Sequence, residues 1–115
     1  MPEAAEVQLI IDQLKTLKNS KIVKIVNLDE KKIYFTNSLL NKILLDIERI
    51  GKYLIWTLSE DTFVINHLIM SGTWIFSKDI PNYARIGLCF ENNKIIWFCD
   101  TRKWGRFKVL NHNGY

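Results

Sequence analysis

The side chains able to do chemistry in this chain fall in a few short, well-separated clusters. Pro2, Glu3 and Glu6 stand at the start. Lys52 follows Gly51 in a turn between two apolar runs. His67 and Met70 share the stretch His67-Leu68-Ile69-Met70-Ser71-Gly72, and Arg102 and Trp104 share Asp100-Thr101-Arg102-Lys103-Trp104-Gly105. Carboxylates can give and take protons, cations suit a polyanion, and a flexible methionine can fill an irregular apolar gap. Each residue also has an ordinary structural role open to it. Pro2 suits the first position of a helix, because the N–H it lacks is one the helix cannot use. Glu3 and Glu6 complement the positive end of a helix dipole. Lys52 fits a solvated turn, His67 a satisfied strand histidine, Met70 a core position at a strand end, and Arg102 and Trp104 a surface cation beside a strand-terminal aromatic. Cys89 and Cys99 fall in strand-like runs with no CxxC or Cys/His cluster, so this chain offers no zinc site. They read as two reduced, buried thiols.

The composition sets the class to which those residues belong. With 115 residues, 48% hydrophobic and 24% charged, the chain has the make-up of one ordinary globular domain. No apolar run is long enough to span a bilayer, so no membrane partner is expected. The acidic start Met1-Pro2-Glu3-Ala4-Ala5-Glu6 lacks the basic and apolar regions of a signal peptide. The expected compartment is therefore intracellular. Sixteen Lys and Arg against 12 Asp and Glu give +4, a balance that fits a polyanion partner without specifying one.

One helix and a series of strands must position these clusters. Val7, Ile10, Ile11, Leu14 and Leu17 recur at helical spacing and predict a helix over Glu3–Lys18, ended at Asn19-Ser20. The runs Lys21–Leu28, Lys32–Thr36, Lys42–Ile50, Tyr53–Leu58, Thr62–Leu68, Thr73–Ser77, Arg85–Phe90, Lys94–Cys99 and Trp104–Leu110 read as strands. Ser59-Glu60-Asp61 and Glu91-Asn92-Asn93 are the clearest turns, and Ser38-Leu39-Leu40 suits a short helical turn. The predicted fold is mainly β with α: a two-layer antiparallel β-sandwich with an N-terminal helix packed on it. Its expected core takes Ile22, Val26, Ile33, Phe35, Leu54, Trp56, Phe63, Ile65, Ile86, Leu88, Ile95 and Trp97.

Four segments, in order along the whole chain, resemble the N-terminal catalytic domain of the formamidopyrimidine-DNA glycosylase and endonuclease-eight (Fpg/Nei) family. Met1-Pro2-Glu3-Ala4-Ala5-Glu6-Val7 is close to M-P-E-L/G-P-E-V. Ile50-Gly51-Lys52-Tyr53-Leu54 is like R-x-G-K-Y-L. His67–Gly72 is like H-L-G-M-S-G, and Asp100–Gly105 is like D-P-R-R-F-G. The family's N-terminal domain is a β-sandwich flanked by helices, in agreement with the fold read from the residues.

The resemblance implies a DNA base-excision repair enzyme, a bifunctional DNA glycosylase and abasic-site lyase acting on oxidised bases in damaged double-stranded DNA. It implies that Met1 is removed and that the Pro2 amine is the nucleophile. That amine has a pKa in the α-amino range, far below that of lysine, so more of it is unprotonated near neutral pH. Glu3 is implied as the general acid that opens the sugar ring, Glu6 as a supporting group, and Lys52 as the contact to the phosphate beside the lesion. His67 is implied at backbone phosphate, Met70 as the wedge filling the space of the flipped-out nucleotide, and Arg102 and Trp104 at the orphaned opposite base. No cofactor is expected in this chain.

The chain also departs from the pattern. Ala5 and Thr101 stand in place of prolines, Lys103 in place of an arginine, and Ile69 in place of the glycine before Met70. A β-branched Ile69 does not take φ > 0 cheaply, so the wedge turn is expected to differ. The loop Asp79-Ile80-Pro81-Asn82 is short. The expected organisation is a catalytic domain over 1–110 and a tail or truncated linker over 111–115. The helix–two-turn–helix and finger domains that family enzymes carry are not found in these residues. Such a domain, on the same chain or supplied by a separate protein, is an expected partner. The other reading open at this point is a non-catalytic relic of the domain, a scaffold that binds nucleic acid or protein.

Overall fold

The apolar stripe at the N-terminus does form a helix. The computed structural model describes residues 4–28, 37–51, 53–67, 72–100 and 106–110, with the side chains of 4–7, 67 and 106–108 excepted. Helix α1 spans Ala4–Leu14 and tightens into a 3-10 turn at Lys15–Leu17. Ile11, Leu14 and Leu17 are buried to 1% exposure or less, as their spacing predicts. The expected helix ran on to Lys18. Instead the last turn narrows, with the Lys18 N–H donating to Lys15 O at 3.2 Å and the Thr16 hydroxyl donating to Gln13 O at 2.7 Å.

Eight strands follow among the described residues: β1 (Ile22–Asn27), β2 (Leu44–Ile50), β3 (Tyr53–Leu58), β4 (Thr62–His67), β5 (Thr73–Phe76), β6 (Ala84–Phe90), β7 (Ile95–Cys99) and β8 (Arg106–Leu110). They form two antiparallel sheets, in the orders β1-β6-β7-β5 and β2-β3-β4-β8. Helix α1 packs on β2. The predicted sandwich with a packed N-terminal helix is the fold observed. The expected strand Lys32–Thr36, the core positions Ile33 and Phe35, and the tail 111–115 lie outside the described residues. Residues 38–41 form the expected turn and bury Leu39 completely.

Five of the expected positions, Val26, Phe63, Ile65, Ile95 and Trp97, do not face the sandwich core. In β1 the register shifts between Ile22 and Lys24, and in β2 between Leu44 and Asp46. A bulge places two residues opposite one, so inward-facing positions fall three apart instead of two. Ile22 is therefore followed inward by Ile25 and not Val26, and Leu44 by Ile47. In β4 the expected Phe63 and Ile65 face away from the core. The inward face of β3 is Leu54, Trp56 and Leu58, and their cross-strand partners are Asn66, Val64 and Thr62. Directly opposed residues share a face, so β3 turns Thr62, Val64 and Asn66 inward and leaves Phe63 37% exposed. In β7 the sandwich core takes Ile96 and Phe98, while Ile95 is half-buried.

Trp97 is buried on the other face of β7, opposite Gly87 of β6. Its indole N–H donates to Ser77 O at 2.9 Å, in the crossover that joins β5 to β6. A side chain at position 87 would occupy the space of the indole: an added Cβ would sit 2.6 Å from Trp97 Cε3. Gly87→Ala is expected to lower stability by about 1–3 kcal/mol through overpacking. Urea denaturation measures this directly, and an unchanged midpoint would show that the indole yields without cost.

Candidate functional site

Pairing register determines which loops lie together. Across the β2-β3-β4-β8 sheet, Ile50 pairs with Tyr53, Tyr53 with His67, and His67 with Arg106. Across the other sheet, Thr73 pairs with Cys99 and Cys99 with Ala84. These two rows are the same end of the sandwich. Segment 68–71 joins His67 to Gly72 and Thr73, and segment 101–105 joins Asp100 to Arg106. The turn at Gly51 leaves the same row, and segment 29–36 follows β1 there, where the Leu28 N–H donates to Arg85 O at 3.0 Å. The opposite ends of the sheets also coincide. Lys21 bridges Ile43, the Ser59 N–H donates to Ile43 O at 2.9 Å, and the Lys21 N–H donates to Glu91 Oε1 at 3.1 Å. The turns at 59–61 and 91–93 therefore share the far end.

Of the residues singled out by sequence, Pro2, Glu3, Lys52, Met70, Arg102 and Trp104 lie outside the described residues. Glu6 is placed in α1 and His67 at the last position of β4, each by its backbone. The structure thus brings together the strand ends that flank Lys52, Met70, Arg102 and Trp104, with the backbone of His67 among them. The mutual distances of those side chains, and the expected concave face shared with Pro2, lie outside the described residues. Helix α1 is anchored at its C-terminal end, where the Asn19 N–H donates to Leu44 O at 2.7 Å and Lys18 meets Asp46 at 3.6 Å. The Ile47 N–H, 2.8 Å from the Asp46 carboxylate, is the main cause of its lowered pKa.

Several described residues hold the near end in shape, and sequence reasoning did not single them out for this. Gly51 opens the β2–β3 turn with φ 64°, the left-handed region open to glycine. The Arg49 guanidinium donates to Gly51 O at 3.2 Å and so ties down the residue before Lys52. Arg85 donates from Nε to Asp100 O at 3.0 Å, and the Asp100 N–H donates to Tyr83 O at 3.0 Å. Together these anchor the base of segment 101–105. No motif marks Arg85, because its role depends on nearness in space. Asn66 had a readable signal, being a polar residue in phase with Val64 inside an apolar strand run.

The thiols divide differently from expectation. Cys99 is buried, and burial raises its pKa while the nearby Arg85 acts the other way. Cys89 is only half-buried, because its place on β6 lies off the core face. Among the described residues no three His, Cys, Asp or Glu gather as a metal site, and no helix is long and apolar enough to cross a membrane. An open groove of about 530 Å³ lies between α1 and β5, lined by Gln13, Thr16, Trp74, Ile75, Phe76 and Lys94. Phe76 and Lys94 place it toward the far end, away from the clustered segments.

Residues 1–107 match the family described as the formamidopyrimidine-DNA glycosylase N-terminal domain. The formamidopyrimidine-DNA glycosylase of Mycoplasma pneumoniae is 32% identical over 122 aligned residues, covering 96% of this chain and 44% of the relative. That of Protochlamydia amoebophila is 34% identical, with 96% and 44% covered. A crystal structure of the Lactococcus lactis enzyme bound non-covalently to DNA containing an AP site superposes with a TM-score of 0.84 at 25% identity, covering 97% of this chain and 46% of that one. Another, of the Lactococcus lactis enzyme with FAPY-dG-containing DNA, gives 0.83 at 25% identity, with 96% and 45% covered. The chain spans less than half the length of the curated relatives it matches.

Among the described residues, no heavy atom beyond the two chain neighbours lies within 4 Å of a Cβ added at Gly51, so a substitution there strains the backbone. Gly51→Ala is expected to cost about 1 kcal/mol, the penalty of a side chain in the left-handed region. Thermal denaturation checks the figure, and a stabilised variant would mean that the turn had left this conformation.

Proposed function

As the chain belongs to the formamidopyrimidine-DNA glycosylase family, aligned along its N-terminal domain over residues 1–107, we propose that it carries the catalytic residues of a bifunctional DNA glycosylase and abasic-site lyase. It acts in base-excision repair, on oxidised bases in double-stranded DNA inside the cell. The observation that carries this reading is that the family match runs over residues 1–107, a range that includes Pro2 and Trp104. The pairing register supports it, because the segments around Lys52, Met70 and Arg102 spring from one end of the sandwich.

With Met1 removed, the Pro2 nitrogen is a secondary amine able to attack the anomeric carbon of the damaged nucleotide. A bond forms from nitrogen to C1′ as the bond from C1′ to the base breaks; the base leaves with that electron pair and takes up a proton, and the nitrogen sheds its own. Glu3 supplies the proton that opens the sugar ring at its oxygen. The resulting iminium has no proton on nitrogen to lose, so it stays cationic and acidifies the neighbouring C2′. Loss of a C2′ proton then expels the 3′ phosphate by β-elimination. Lys52 holds the phosphate beside the lesion, with Glu6 and His67 in support. Met70 fills the gap left by the flipped nucleotide, while Arg102 and Trp104 meet the base left opposite. These steps use side chains and the terminal amine, with no cofactor.

The positive charge of +4 suits the phosphate backbone. Binding carried by such contacts should weaken as salt rises, more steeply the more phosphates are neutralised.

Borohydride reduction tests the chemistry by converting the iminium to a stable amine. The Met1-free protein should become covalently linked to abasic DNA. Protein retaining Met1 should not, since its Pro2 nitrogen is a non-nucleophilic amide. Pro2→Gly should weaken trapping by exchanging a secondary for a primary amine. Glu3→Gln should slow release of a damaged base by about 10²-fold or more, the scale of general acid catalysis, with less effect on a preformed abasic site. If Met1-free protein forms no adduct even with single-stranded abasic DNA, the catalytic reading fails and the binding-scaffold reading replaces it.

A further inference from the structure

Among the described residues, Asn19, Asn41, Glu60, Asp61, Tyr83 and Asn93 hold a positive φ without being glycine. Five of them are polar turn residues, and asparagine and aspartate enter the left-handed region most readily. Tyr83, at φ 62°, is the bulky exception. Its ring does little to offset the strain by burial, since the residue is 62% exposed. A glycine or an asparagine would make the same turn at less cost.

Bonds on both sides hold the conformation. The Ala84 N–H donates to Pro81 O at 3.4 Å, and the Asp100 N–H donates to Tyr83 O at 3.0 Å. Asp100 is held in turn by Arg85, whose Nε donates to Asp100 O at 3.0 Å. Ala84 pairs with Cys99, and Cys99 with Thr73. Tyr83 therefore stands beside the row of strand ends that the repair reading turns toward DNA, on backbone that is fixed. The crossover from Ser77 to Tyr83 carries one lysine and one aspartate, Lys78 and Asp79, so it brings no net charge to attract phosphate. Tyr83 brings an exposed aromatic surface to that end instead. Such a surface suits the face of a nucleobase, and that face is open only on a base that has left the duplex stack.

We propose, on the repair reading given above, that Tyr83 is a DNA-contacting residue whose ring stacks on an unpaired base. Strain kept where the fold gains little burial from it is accounted for by such a use, because the left-handed backbone holds the ring out from the sheet end.

The test measures binding of the Met1-free full chain to dye-labelled DNA by fluorescence anisotropy at low salt, with a single strand and an intact hairpin duplex as the two probes. Tyr83→Gly should weaken binding to the single strand by about fivefold or more, the scale of one lost stack, and binding to the intact duplex by less than about twofold. Its urea midpoint should not fall, because glycine removes the strain. Tyr83→Phe keeps the ring and should bind the single strand as the parent does. A Tyr83→Phe protein as weak as Tyr83→Gly would make the hydroxyl the contact and overturn the proposal. So would a Tyr83→Gly protein that keeps the parent affinity for the single strand, loses both affinities equally, or loses stability along with affinity. If the parent protein binds neither probe, the repair reading itself falls and this proposal falls with it.

Discussion

The indole of Trp74 is the contact on which the sandwich closes. It reaches from β5 across the interior to Asn66 of β4, and it lies against Trp56 and Phe98. Aromatic side chains of this size bring a large apolar area to a core, and tilted ring pairs add about 0.5–1.5 kcal/mol beyond burial. Both ends of the hydrogen bond are dry: Asn66 is 0% and Trp74 3% exposed. Removing the Asn66 amide would take the acceptor away from the buried indole N–H, at about 1–3 kcal/mol. A contact with that penalty orients the two sheets as well as holding them together.

With the sheets oriented, strand register does the rest. The row Ile50, Tyr53, His67 and Arg106 in one sheet and the row Thr73, Cys99 and Ala84 in the other finish together. Three loops from distant parts of the sequence therefore emerge side by side. Hydrogen bonds of Arg49 to Gly51, Trp74 to Asn66 and Arg85 to Asp100 lie in the described backbone that flanks them. The far end is closed by tight turns, with Glu60 and Asp61 at φ 60° and 53° and Asn93 at φ 66°. The division suits an enzyme of this family, whose working parts would sit on connections held by a rigid scaffold.

Much of this was legible in the residues. The spacing of Ile11, Leu14 and Leu17 located the helix, and apolar runs broken by turn residues located the strands. The direction of side chains was harder. Two bulges moved the inward positions of β1 and β2 out of simple alternation, which no local pattern announces. In β4, Phe63 and Ile65 are more apolar than Thr62 and Asn66, yet β3 turns the latter pair inward. There cross-strand pairing overrode hydrophobicity. The motifs marked the segments around Lys52, Met70 and Arg102, and the strand ends that flank those segments share one end of the fold. They did not mark Arg85 or Trp74, whose roles depend on residues far away in sequence.

The central claim is that this end of the sandwich, and not the far end, meets DNA. Amide chemical shifts of the labelled protein, followed as an abasic duplex is added at low salt, test it most directly. The account predicts that the largest changes fall at Gly51, Tyr53, Gly72, Thr73 and Asp100, with the turns at 59–61 and 91–93 nearly unmoved. Changes centred on those far turns, or on the groove between α1 and β5, would contradict it.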